Sequence, residues 1–98
     1  MTLAIHVRLT AGEGAEGGVR EALLALLPLS RTHPGCRVFF PHRDPADPRV
    51  FVVYEQWADQ AALDGWLADP SFVDVVERLL TPNVASVERT ELELLADA

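Results

Sequence analysis

The stretch over residues 49–59, RVFVVYEQWAD, constrains the fold of this chain more than any other part of the sequence. It is rich in β-branched and aromatic residues, follows the turn-forming run DPADP at residues 44–48, and precedes a helical pattern, so it is predicted to be a strand. Its apolar residues 51–54 are continuous instead of alternating, which is typical of a strand covered on both faces. We therefore expect this strand in the middle of a sheet.

Three further segments are predicted strands. Residues 3–10 alternate, with apolar side chains at the odd positions and mostly polar ones between them. Residues 36–42 form a strand whose Pro41 is tolerated best near a sheet edge. Residues 84–95 also alternate and carry several acidic side chains, which indicates a solvated or edge strand.

Two helical regions separate these strands. A glycine-rich loop leads into a first helix over residues 19–30, which Pro28 should kink or end. Asp59 is a good N-cap for the second helix. Pro70 should interrupt that helix before the helical pattern resumes over residues 71–80.

The resulting order is β-α-β-β-α-β, which predicts an α+β fold of ferredoxin-like type. A right-handed crossover places the third strand between the first and second, giving a four-stranded antiparallel sheet with both helices on one face. A chain of 98 residues is expected to form one domain over residues 1–98. Its apolar fraction of 49% exceeds what one helical layer can cover, so we expect the second sheet face to pack against another copy in a homodimer.

Charge and composition exclude several functions. The formal net charge of −7 argues against nucleic-acid partners, and the absence of lysine excludes Schiff-base chemistry and a P-loop. The single cysteine excludes an internal disulfide, and the scattered histidines suggest no metal site. Neither a membrane-spanning nor a signal-peptide pattern is present, so the expected location is cytoplasmic, without a membrane partner.

Five motifs carry a resemblance to a known family: SRTHPGC at residues 30–36, HRDP at 42–45, FVVYEQW at 51–57, AAL at 61–63 and PSF at 70–72. With the order of elements, they make nearly the whole chain similar to the antibiotic biosynthesis monooxygenase domain family. The resemblance implies a dimeric α+β barrel. The same scaffold serves cofactor-free quinone-forming oxygenases, haem-degrading enzymes, isomerases and members without known activity.

The resemblance argues against the haem-degrading branch. Trp66 matches a Trp of those enzymes, but their first-strand Asn falls at or beside Val7 and their haem-ligating His falls near Val76. An apolar side chain cannot ligate iron. No cofactor is therefore expected.

The polar positions of the cofactor-free oxygenases are partly retained. Trp57 stands where those enzymes have a pocket Trp, and His42 matches a His on their second strand, whereas their Asn, Tyr and Arg are replaced by Val53, Leu63 and Val76. The resemblance thus implies a small cofactor-independent monooxygenase that oxidises a phenolic or polyketide-like aromatic with dioxygen in a more apolar pocket. A non-oxidative isomerase and a non-catalytic dimeric binding or accessory protein are the alternatives.

The candidate catalytic residues are His42, as base or proton shuttle, and Trp57, as an indole donor to a substrate oxygen. Tyr54, Trp66 and Phe72 are the candidate binding residues for a small aromatic ligand. Structural roles are alternatives, because His42 stands near a strand end and Trp57 is a large aromatic suited to a core or a dimer interface.

Three other residues are expected to be structural. Glu55 is a mid-sheet carboxylate that requires a partner, which Arg8 or Arg37 could supply in an ion pair. Cys36 is interpreted as buried filler, and His33 is expected to belong to a surface turn.

Overall fold

The computed structural model describes residues 2–96 and contains one four-stranded antiparallel sheet. The elements in chain order are β1 (Leu3–Ala11), α1 (Glu16–Ser30), β2 (Cys36–Arg43), β3 (Val50–Trp57), α2 (Gln60–Leu67), α3 (Pro70–Val75), a π-helical segment (Val76–Leu80), a 3₁₀ turn (Thr81–Asn83) and β4 (Val84–Glu93). The strand order is β2-β3-β1-β4. The predicted ferredoxin-like α+β fold is confirmed, with the third strand between the first and second and β4 at an edge.

The strand register decides which side chains face the helices. Ile5 lies opposite Glu55, and Val7 lies opposite Val53 on one side and Arg89 on the other. Because side chains alternate along a strand, these residues share one sheet face. Ile5 and Val53 are buried in the core beneath the helices, so Glu55 and Arg89 also belong to the helix-covered face.

Helix α1 packs an apolar stripe on this face, with Val19, Leu23 and Leu26 buried. It begins at Glu16, earlier than the predicted start at residue 19, and no side chain caps its N-terminus. The helix continues past Pro28 to Ser30. Pro28 has no N–H to donate to the Leu24 carbonyl, and only two further residues are helical. Within residues 2–96, no helix has the length and apolar composition to cross a membrane.

An aspartate caps each of the two helix starts in the second helical region, and only the first of these caps was predicted. Asp59 accepts a hydrogen bond from the backbone N–H of Ala62 at 2.8 Å, which confirms it as the N-cap of α2. Asp69 accepts one from the backbone N–H of Ser71 at 2.8 Å and caps α3, whose first residue is Pro70. Proline suits that position because its missing N–H would have no partner in the helix.

The predicted helix over residues 71–80 is not one continuous α-helix. After Val75 the chain forms the π-helical segment and then the 3₁₀ turn. The Asn83 side-chain amide donates to the backbone oxygen of Leu79 at 2.6 Å, which satisfies a carbonyl left free near the end of the helical region.

The sheet face opposite the helices carries exposed apolar side chains. Phe40 on β2 is 53% exposed and lies opposite Tyr54, while Leu92 on β4 is also exposed and lies opposite Ala4. In the isolated chain this face is therefore apolar in part and uncovered.

Candidate functional site

A cavity of about 160 Å³ lies between the sheet and the helices. Its lining residues come from the strands and from the helical layer, and most are apolar; they include Ile5, Val7, Val53, Leu26, Leu63 and Phe72. Glu55 and Arg89 are the charged side chains in the wall. The arrangement is an apolar chamber with one carboxylate and one guanidinium facing into it.

Glu55 is held in this wall by a hydrogen bond from an indole. Its side chain accepts from Trp57 Nε1–H at 2.9 Å, and the residue is only 8% exposed. Burial raises the pKa of the Glu55 carboxyl above its ordinary value, although the Trp57 hydrogen bond and the positive charge of Arg89 act in the opposite direction. The cavity thus contains a carboxylate that binds a proton more readily than an exposed glutamate.

The expected partners of Glu55 were wrong. Arg8 lies on the opposite face of the sheet, because it alternates with the helix-facing residues of β1. Arg37 donates to the Thr2 hydroxyl at 2.7 Å. Side chains at positions i and i+2 of a strand share a face. The alternation pattern of β3 was therefore the one signal in the sequence that could have indicated the contact between Glu55 and Trp57.

Trp66 is the centre of an aromatic cluster at one end of the cavity. Its ring stacks on Trp57 with centroids 5.6 Å apart and meets Phe72 at 4.6 Å. Phe39 approaches edge-on at 6.0 Å, and His33 does so at 5.3 Å. These aromatic contacts fix the position of Trp66 in the cavity wall.

His33 lies in the turn before β2, as predicted, but its side chain packs mostly inward instead of projecting into solvent. Its Nε2 lies 2.6 Å from Asp69 Oδ2, with 21% and 24% of the two side chains exposed, and its ring also meets Trp57 edge-on. The hydrogen bond with His33 lowers the pKa of the Asp69 carboxyl. The pair joins the loop before β2 to the start of α3. Residues this far apart in sequence gave no local signal of their contact.

The structure brings three of the predicted site residues together. Trp66 and Phe72 line the cavity. Trp57 is fully buried behind the wall, where it stacks on Trp66 and binds Glu55. Trp57 therefore contacts the cavity through its neighbours.

The other predicted site residues lie elsewhere. Tyr54 is on the opposite sheet face, where its hydroxyl accepts a hydrogen bond from the Gln56 amide at 3.0 Å. His42 is exposed near the end of β2, and its Nδ1 lies 3.2 Å from the backbone oxygen of Val52. Their proposed roles stay predictions.

Thiol and metal chemistry find little support in the described residues. Cys36 is half-buried, with its Sγ 3.7 Å from the Val38 oxygen, and burial raises the pKa of its thiol. Among residues 2–96, no three His, Cys, Asp or Glu side chains are grouped to hold a metal ion.

Comparison with known proteins places this geometry in a family. The family model described as antibiotic biosynthesis monooxygenase matches residues 2–78. PA3566 from Pseudomonas aeruginosa is 29% identical, with a TM-score of 0.90 over 97% of this chain and 95% of that chain. Rv0793 from Mycobacterium tuberculosis shares the fold at 21% identity, with a TM-score of 0.90 over 100% and 99% of the two chains. No curated protein matches the sequence.

Proposed function

Because the chain belongs to the antibiotic biosynthesis monooxygenase family, we propose that it is a cofactor-independent monooxygenase that oxidises a phenolic substrate with dioxygen in the cavity between sheet and helices. One observation carries the proposal. Glu55 is a buried carboxylate of raised pKa that faces an otherwise largely apolar cavity. A raised pKa makes this carboxylate a better general base at neutral pH, because the pKa of its conjugate acid is then closer to the pKa of the phenol whose proton it removes.

The size of the cavity favours a substrate with one aromatic ring. Its volume of about 160 Å³ is close to that of an apolar protein cavity of about 150 Å³ known to bind benzene. Trp66 and Phe72 provide aromatic surface for stacking or edge contact with such a ring. A polyketide-like aromatic would insert one of its rings.

The reaction uses the substrate as the source of electrons. Glu55 takes the phenol proton, and the phenolate gives one electron to dioxygen. The phenoxyl radical and superoxide then combine at the para carbon, and the peroxide formed takes the proton from Glu55. Loss of the para C–H proton to Glu55 breaks the O–O bond and expels hydroxide, which leaves with that proton as water. Phenol and dioxygen thus become a para-quinone and water.

Two further residues support this chemistry. The guanidinium of Arg89 faces the cavity and also donates to Glu91 at 3.3 Å, so it offers positive charge to the phenolate and the peroxide. Trp57 is a positioning residue, because its indole N–H fixes the orientation of the Glu55 carboxylate.

Oxygen uptake with single-ring phenols that carry hydrogen on the para carbon tests the proposal, using protein freed of metal and flavin. We expect Glu55→Gln to lower kcat at least about 100-fold, because the amide keeps an acceptor for Trp57 but cannot take a proton. In the parent protein, kcat/KM should rise with pH through the pKa of Glu55, which lies above the ordinary 4.5, and this limb should be absent from the variant. Glu21→Gln, on the exposed side of α1, is the matched control and should keep full activity.

The same experiment distinguishes the alternatives. Uptake that survives Glu55→Gln but is lost in His42→Ala would assign the base to His42 and overturn the role of Glu55. No uptake above the buffer background would favour the non-oxidative isomerase or the accessory protein. Solvent-deuterium incorporation into a bound substrate would then separate those two, because only an isomerase moves protons.

A further inference from the structure

We propose that the chain has a second ligand site, a cleft at the outer edge of the sheet that binds a small organic anion with an apolar body, such as an aromatic carboxylate. The cleft has a volume of about 240 Å³ and lies between α1 and β2. Its lining includes two arginines, Arg20 and Arg43, and the apolar residues Leu23, Leu24, Pro41 and Phe51. It shares the wall residue Leu23 with the cavity that contains Glu55, and the other residues that line the two are different.

The charge in this cleft is unusual for the molecule. The chain has fifteen acidic residues and a net charge of −7, yet none of the acidic residues among residues 2–96 lines the cleft. Arg78 and Arg89 are paired with Asp74 and Glu91. In the part of the chain that the structure describes, Arg20 and Arg43 form no ion pair, and both converge on the same cleft. An anionic ligand would supply the missing partner.

The geometry of Arg43 suits a carboxylate. Its guanidinium lies over the Phe51 ring, 4.9 Å from the centroid. This cation–π contact restrains the guanidinium and leaves its in-plane N–H groups available for two parallel hydrogen bonds. A planar carboxylate accepts such a pair better than a neutral amide does.

The apolar part of the cleft determines which uncharged part a ligand must have to fit. Leu24 is 46% exposed although it is a large apolar side chain, and it lies beside Leu23 and Pro41. An aromatic or aliphatic ring placed here would cover Leu24 while its charged group reaches the arginines. The ligand is therefore amphipathic.

The overall charge and the size of the cleft exclude polymeric ligands. A net charge of −7 repels nucleic acids and other polyanions. A volume of about 240 Å³ is below the usual range of about 300–1,000 Å³ for drug-sized ligands, so the site suits one or two rings.

Titration with benzoate, followed in nitrogen–proton correlation spectra, tests this proposal. We expect shifts at the amides of Arg20, Leu24 and Arg43, and we expect salt to weaken binding. Arg20→Gln and Arg43→Gln should each raise the dissociation constant about fivefold or more, as loss of a charged hydrogen-bond donor requires. Arg78→Gln is the matched control, because that exposed arginine pairs with Asp74 away from the cleft, and it should bind benzoate like the parent.

Other outcomes would overturn the site. If benzamide bound as tightly as benzoate, the site would not require an anionic ligand. If inorganic phosphate bound as tightly, the site would not require an apolar body on the ligand. Shifts confined to the indoles of Trp57 and Trp66 would place benzoate in the other cavity. An absence of shifts well above millimolar benzoate would also contradict the proposal. Because the readout is binding, failure of the oxygenase chemistry leaves it unaffected, and Glu55→Gln should bind benzoate normally.

Discussion

Glu55 and Trp57 form the smallest unit from which the candidate site is built. They are two residues apart on β3, so their side chains lie on the same sheet face and meet at 2.9 Å. A buried carboxylate requires a hydrogen bond to remain stable, and the indole N–H supplies it without adding charge. The carboxylate consequently stays in the cavity wall while retaining a raised pKa.

We predict that Trp57→Phe lowers the free energy of unfolding by about 3 kcal/mol at neutral pH, through a lost hydrogen bond and a small void. The folded-state pKa of Glu55 is raised, so its protonated form stabilises the fold at low pH and that stabilisation is lost as pH rises through the folded pKa. Removing the Trp57 donor raises the pKa of Glu55 further. The loss of stability in the variant should therefore be smaller at pH values below 4.5, the ordinary pKa of this carboxyl, than at neutral pH. Urea unfolding over a pH series measures this.

The matched control for that prediction is Trp57→Phe in a Glu55→Gln background. It retains the void but has no carboxylate, so its loss of stability should not vary over the acid range. An equally flat pH profile for the single variant would contradict the role assigned to the hydrogen bond.

The His33–Asp69 pair gives a second prediction at the residue scale. Asp69→Asn keeps an acceptor for the cap of α3 but removes the charge facing His33. The lowered pKa of Asp69 means that its stabilisation is present above the ordinary value of 3.8 and is lost as pH falls through the folded pKa. The variant should thus be less stable at neutral pH, and the difference from the parent should disappear in acid. Thermal unfolding at both pH values checks this.

Asp59→Asn is the corresponding control, because Asp59 also caps a helix but has no histidine partner. It should cost less stability at neutral pH than Asp69→Asn. Equal losses in the two variants would show that the cap, and not the contact with His33, determines the effect.

Between elements, Gly35 allows the turn before β2 to lie directly on α2. A methyl group at Gly35 would overlap the Cβ of Ala62, whereas one at Gly65 on the exposed side of α2 would meet nothing. The Gly35 oxygen also accepts from the backbone N–H of Ala58 at 2.8 Å, which ties this turn to the end of β3. Close approach of backbone to helix, and not a special turn angle, requires the glycine.

We predict that Gly35→Ala lowers the free energy of unfolding by about 2 kcal/mol, since the overlap must be relieved by moving α2. Gly65→Ala is the matched control and should raise it by about 1 kcal/mol, because alanine is a better helix former than glycine. Chemical denaturation of the pair measures both. Equal effects of the same sign would contradict the close contact between turn and helix.

At the scale of the whole molecule, the uncovered sheet face predicts self-association. Phe40 and Leu92 are exposed there, and Val52 and Tyr54 lie on the same face of β3. Pairing two such faces about a two-fold axis would bury these side chains in both copies. We expect a homodimer.

Phe40→Asp should weaken that dimer at least about 100-fold, because a two-fold interface would bury the new charge twice. Val87→Asp is the matched control: Val87 is 51% exposed, but it pairs with Leu9 and lies on the helix side of the sheet. It should remain dimeric. Light scattering at micromolar concentration measures both, and a monomeric parent protein would exclude the dimer.

The sequence by itself determined the order of elements, the central position of β3 and the start of α2 and α3. These follow from local causes: alternation along a strand, a capping carboxylate such as Asp59, and a proline at Pro70 that cannot continue the preceding helix. Trp66 and Phe72 line the cavity, because helical spacing directs them towards the sheet, and their role in ligand binding stays a prediction.

Only the tertiary structure decided which polar groups meet. His33 contacts Asp69, and Arg89 lines the same cavity as Glu55, because of how turns, helices and strands pack. Residues distant in sequence leave no periodic signal of such contacts. The raised pKa of Glu55 has the same origin, since desolvation is a property of everything that surrounds a side chain. Local chemistry therefore specified the elements, whereas packing created the candidate site.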